Sequence, residues 1–67
     1  MALTWRDVEG LARELAARFP GEDPLGLDLP RLHEMILGLP GFKDEPDAAT
    51  DELLEQIQAA WYEESAL

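Results

Sequence analysis

Two proline–glycine breaks dictate what this chain can fold into. Phe19-Pro20-Gly21 and Gly38-Leu39-Pro40-Gly41 each join a residue that cannot continue a helical hydrogen-bond ladder to one that tolerates the exit conformation. They cut 67 residues into three short pieces, and no cysteine is present to staple the pieces together. Stability must come from apolar faces packed on one another in a thin core, because a chain of this size buries only about 60% of its unfolded surface. The expectation is one mainly α domain over residues 1–67, three small helices with a short extended segment.

The periodicity within each piece supplies the faces. Trp5, Val8, Ala12, Leu15 and Phe19 recur at alternating spacings of three and four, widened by Leu11 and Ala16, which predicts an amphipathic helix of about 15 residues. Thr4 reads as its N-cap, with Asp7 in the place of a capping-box acid. In the next stretch Leu25, Leu27 and Leu29 alternate with Gly26 and Asp28, the period of a strand. Three apolar residues cannot make a sheet, so an extended segment laid across the helices is expected. Pro30 suits the start of a second helix whose apolar side is Leu32, Met35, Ile36 and Leu39. Asp47 or Thr50 is expected to cap a third helix that buries Leu53, Leu54, Ile57, Ala60 and Trp61. Trp5 and Trp61 both fall on apolar stripes and read as core, each with an indole N–H that needs an acceptor.

Charge narrows the function. Fifteen acids against five bases give −10, and residues 34–67 hold nine acids and one base, Lys43. Nucleic-acid affinity comes from Lys and Arg on phosphates, so this balance argues against nucleic acid and against anionic membrane surfaces. It favours a cation or a basic protein partner, with a solvated face kept for solubility as the plainer alternative. No apolar run approaches the ~20 residues of a membrane span, and the opening residues lack a secretory pattern, so a cytoplasmic monomer is expected. A catalytic role finds no support: His33 is the only histidine, the Ser and Thr hydroxyls have no base near them in sequence, and no phosphate-cradling glycine loop occurs. His33 reads either as a half-exposed helix histidine or as a partner contact.

Asp44, Glu45 and Asp47 crowd one loop, and Asp51, Glu52 and Glu55 follow on the next helix. Hard cations take oxygen ligands, so such a set can hold a divalent or ferric ion weakly. It is not an EF-hand, since Pro46 interrupts it and no glycine stands sixth from Asp44.

A series of short motifs then carries a resemblance over nearly the whole chain, from Leu3 to about Glu64. It runs from Leu3-x-Trp5-x-Asp7 through Phe19-Pro20 with Asp23-Pro24, then His33 with Ile36 and Leu39. Phe42-x-Asp44-Glu45-Pro46, Leu54-Glu55-x-Ile57 and Trp61-x-x-Glu64 complete it. In this order, in a cysteine-free acidic chain, the set resembles the IscX family of small accessory proteins of bacterial iron–sulfur cluster assembly. The resemblance implies a modified winged-helix fold and a non-enzymatic protein that binds the cysteine desulfurase of the pathway through an acidic face. It also implies weak, transient iron binding, ferrous or ferric, and modulation of sulfur transfer in competition with frataxin, with ferredoxin or the scaffold as further partners.

Carried onto this sequence, the resemblance and the acid cluster together place metal at Asp44, Glu45, Glu55 and Glu64. Partner contact is expected at Asp7, Asp23, His33, Asp44, Glu45, Asp47, Asp51, Glu52, Glu55 and Glu63. The chain departs from the pattern in three places. Met35 stands where an aromatic is expected, which would alter a surface patch beside the second helix. Lys43 thins the acidic run, and Ala49-Thr50-Asp51 replaces the expected Ser-Asn-Glu. Two alternatives stay open: an iron donor for cluster assembly, or an acidic interaction module unrelated to it, in which the apolar edge at Met35 and Phe42 matters more than the charges.

Overall fold

The computed structural model describes residues 2–66, which form three α-helices: α1 over Val8–Arg18, α2 over Leu29–Leu37 and α3 over Asp51–Ser65. A single 3-10 turn, Pro24–Gly26, lies between the first two. Helix α1 packs along α3, and α2 and the 3-10 turn rest on α3 as well, so α3 is the central element. The core is continuous across all three helices: Leu11, Ala12 and Leu15 from α1, Leu32, Met35 and Ile36 from α2, Leu54, Ile57 and Trp61 from α3. Trp5 and Leu39, outside the helices, complete it. The apolar residues of the three predicted stripes therefore meet one another, the arrangement by which helices of this length gain stability that they lack in isolation.

Helix α1 begins later than expected. Its cap is Asp7, not Thr4: the Asp7 carboxylate accepts from the Gly10 amide at 3.0 Å. The reason lies upstream. Leu3 is held extended by a parallel bridge to Phe42, with Leu3 N–H donating to Gly41 O and Lys43 N–H to Leu3 O, each at 2.8 Å. Thr4, next along the chain, closes a turn instead, its carbonyl accepting from the Asp7 amide at 3.1 Å. Gly10 is required by this cap, because a Cβ there would stand 2.3 Å from Asp7 Oδ2. Gly41 is required by the pairing, with φ at 83° where the chain turns into the bridge. This bridge is the β pairing among the described residues, and no hairpin forms a wing beside the helices.

The alternating leucines do not form the expected extended segment. Asp23 accepts from the Leu25 amide at 3.2 Å and Pro24 sets the first φ, which nucleates the 3-10 turn; Leu29 already belongs to α2. Pro24 is buried while Leu25 is 58% exposed. The amide of Gln58 on α3 donates to Pro24 O at 2.6 Å and Leu27 O at 2.9 Å, fastening the turn to the helix beneath it. For α3 the cap is Thr50, whose Oγ1 accepts from the Leu53 amide at 3.2 Å; Asp47 does not serve. Asp51 and Glu52 occupy the first turn of α3, where the helix dipole favours negative charge. Met35 is a core residue, only 8% exposed, rather than part of a surface patch. Trp61 is fully buried against Phe19, ring centroids 6.4 Å apart, and its indole N–H has no acceptor among the described residues.

Candidate functional site

The acidic loop after Phe42 is fastened at both ends of its turn. Trp5, 3% exposed, is the anchor: its backbone N–H donates to Asp44 Oδ2 at 3.0 Å and its indole N–H to Glu45 O at 2.7 Å. Asp44 Oδ1 accepts from the Glu45 amide at 2.8 Å, and Ala48 N–H closes the turn on Glu45 O at 3.2 Å. His33 on α2 supplies the other tie. Its Nε2 lies 2.6 Å from Pro46 O, an acceptor only, so Nε2 carries the proton and donates. The His33 ring leans on the Trp5 indole with centroids 5.5 Å apart, and Phe42 meets Trp5 edge-on at 4.8 Å. Three aromatic side chains and one carboxylate thus hold a short exposed loop in a single conformation.

Asp44 is held below the usual carboxylate range, first by the Trp5 amide, then by the Glu45 amide, with the Arg6 guanidinium adding a smaller share. Its two oxygens are occupied by backbone donors, so its charge serves the loop before it serves any ligand.

The expected acids therefore fall into two groups. Asp7, Asp23 and Asp44 accept from backbone amides and terminate or shape local structure. Glu45, Asp47, Asp51, Glu52, Glu55 and Glu63 are exposed and make no ion pair among the described residues. Glu52, Glu55 and Glu63 share one exposed stripe of α3 with Ala59, at spacings of three and four, opposite the buried Leu54, Ile57 and Trp61. Glu64 is different again: half-buried, it lies 3.8 Å from Arg13, which also approaches Glu9 at 3.6 Å. Pairs this exposed contribute little to stability. His33, expected as either a helix histidine or a partner contact, is half-buried and tied to the loop.

For the metal set the geometry is plain. Among the described residues no three His, Cys, Asp or Glu side chains gather around one point, so Asp44, Glu45, Glu55 and Glu64 do not form a closed ligand sphere. The donors are hard oxygens of the right kind for iron, but a bound ion would meet them one or two at a time. The part of the site that the sequence did not disclose is Trp5. Its indole donor was legible as needing an acceptor, yet nothing local pointed to a carbonyl 40 residues away.

The domain is thus helical, with one exposed carboxylate face on α3 and an acidic loop fastened by Trp5 and His33. Residues 3–66 match the family model for iron–sulphur cluster assembly, and the chain belongs to that family, the IscX family. A curated relative, an uncharacterized protein of Pseudomonas aeruginosa, is 39% identical over 64 residues, which is 96% of this chain and 97% of the relative. The protein therefore has a role in iron–sulfur cluster assembly, and the alternative of a module unrelated to that process is set aside. No helix among the described residues is long and apolar enough to cross a membrane.

Proposed function

We propose that this chain is a non-enzymatic regulator that docks through its exposed carboxylates onto a basic surface of the pathway's cysteine desulfurase. There it slows or redirects sulfur transfer by occupying a surface that a frataxin-like protein would otherwise use. The observation that carries this reading is the segregation of the acids. Glu45, Asp47, Asp51, Glu52, Glu55 and Glu63 are exposed, unpaired among the described residues, and confined to the loop and helix that follow Lys43. Six uncompensated carboxylates on one stretch of a small domain raise its self-repulsion, and a basic partner relieves it.

The fastened loop supports the same reading. A loop already ordered by Trp5 and His33 loses little conformational freedom on docking, so more of the interaction energy appears as affinity. Iron, which the resemblance implies, finds no preformed sphere among the described residues, and the proposed docking has no step that depends on it.

Charge reversal on α3 tests the proposal. In calorimetric titrations against the desulfurase of the same organism, the double variant Glu52→Lys/Glu55→Lys is expected to bind at least tenfold more weakly than the parent. A control double variant of equal charge change, Glu9→Lys/Glu22→Lys, is expected to stay within about threefold. Equal weakening by the two would refute docking through α3, leaving only a dependence on net charge.

A further inference from the structure

Three large apolar side chains stand exposed among the described residues, and one of them interrupts the carboxylate face. Leu25 belongs to the 3-10 turn and Leu37 to the end of α2, whereas Tyr62, 48% exposed, lies on α3. Helical register places it. Asp51, Glu55, Ala59 and Tyr62, at spacings of four, four and three, form one exposed row. Ala59 has only a methyl group, so a notch is left between Glu55 and Tyr62, whose side chain leans toward the helix N-terminus and so toward Ala59. The Tyr62 ring has no aromatic partner and Glu55 no ion pair among the described residues. Residues 51–66 contain five acids and no base. Arg13, the cation that reaches α3 from α1, meets Glu64 and not this row.

We propose that the notch receives an arginine side chain of the basic partner, its guanidinium over Ala59, stacked on the Tyr62 ring and hydrogen-bonded to the Glu55 carboxylate. The proposal rests on the reading that α3 meets a basic surface, and it names the side chain recognised there. Charge alone draws lysine and arginine equally. The ring makes the difference. A guanidinium is planar and weakly hydrated, stacks on an aromatic face and offers a carboxylate its N–H fork, while an ammonium is a compact, strongly hydrated point charge. A bare metal ion is not the fit, because no three carboxylates gather around one point among the described residues. A second copy of this chain brings its own net charge of −10 and is repelled. Tyrosine suits the task because its ring supplies a large rigid contact at low cost in conformational entropy.

The test is NMR of the full chain titrated with the capped peptide Gly-Arg-Gly-Arg-Gly and with its lysine counterpart Gly-Lys-Gly-Lys-Gly. Shifts centred on Glu55, Ala59 and Tyr62 are expected, with about threefold tighter binding of the arginine peptide. Tyr62→Leu keeps an apolar side chain but removes the ring, and is expected to erase the preference; Tyr62→Phe is expected to keep it. Ala59→Gln fills the notch with a good helix former and no change of charge, and is expected to weaken the arginine peptide about threefold. Amide spectra report whether each variant is folded. Equal binding of the two peptides to the parent, a preference that survives Tyr62→Leu, or shifts centred elsewhere would overturn the proposal. Titration of the desulfurase separates this proposal from the docking reading. Salt-sensitive binding that Tyr62→Leu leaves unchanged would overturn the arginine notch and spare the docking. No desulfurase binding, with an arginine preference that Tyr62→Leu abolishes, would refute the desulfurase as partner and support the notch.

Discussion

Replacing Trp5 by Phe separates the anchor of the acidic loop from the helical core. The phenyl ring keeps an aromatic contact for Phe42 and His33 but loses the indole N–H that meets Glu45 O at 2.7 Å. A hydrogen bond of this kind contributes about 1 kcal/mol net. The smaller ring leaves a partly collapsed void at a position only 3% exposed, costing about 1 kcal/mol more. The total is about 2 kcal/mol. For a chain of 67 residues the unfolding entropy converts that into a Tm lower by about 14 °C. The loss should also be local. Thermal melts followed by circular dichroism give the first quantity, and amide hydrogen exchange gives the second. Exchange at the Lys43 amide, which donates to Leu3 O, should accelerate more than exchange at Ile57 or Leu15 in the core. A Tm change under about 3 °C, or equal acceleration at Lys43 and Ile57, would show that the indole bond does not hold the loop.

Further expectations follow from other single contacts. Gln58→Ala removes two bonds to the 3-10 turn and regains a little helix propensity, so urea unfolding should show a loss of about 1.5 kcal/mol; a loss below about 0.5 kcal/mol would mean the turn is held otherwise. Gly10→Ala, worth about 1 kcal/mol in an unobstructed helix, should gain nothing here, because its Cβ would displace the Asp7 cap. In an Asp7→Ala background the same change should stabilise, and stabilisation in both backgrounds would contradict the cap. Asp44 has a folded pKa below its ordinary 3.8, so its contribution is fully present above that value and is lost as pH falls through the lower, folded one. Asp44→Asn should therefore destabilise at pH 7 and converge on the parent in strong acid; a difference that persists unchanged at about pH 2 would contradict the assignment.

The helices were legible because the sequence writes their apolar faces at spacings of three and four, and those residues do meet in the core. What escaped were pairings between distant segments. Thr4 has the composition of a cap, but the Leu3–Phe42 bridge holds its neighbourhood extended and passes the role to Asp7. Leu25, Leu27 and Leu29 have the period of a strand, yet Asp23-Pro24 favours a 3-10 turn that Gln58, 34 residues on, then fastens. The site divides in the same way. That acids crowd residues 44–55 is read directly from the sequence. That Asp44 is occupied by the Trp5 amide, and that His33 holds Pro46, required the fold. Met35 lies in the core, as its place on the α2 stripe predicts, so its departure from the family's aromatic bears on packing more than on a surface patch.

Docking on the desulfurase through exposed carboxylates is tested by calorimetric titration of the two proteins at ~50 mM and ~300 mM salt without metal, since exposed charges are screened over a Debye length. Saturable binding at low salt that weakens at least tenfold at high salt is the expected result. No binding at low salt, or binding indifferent to salt, would contradict it.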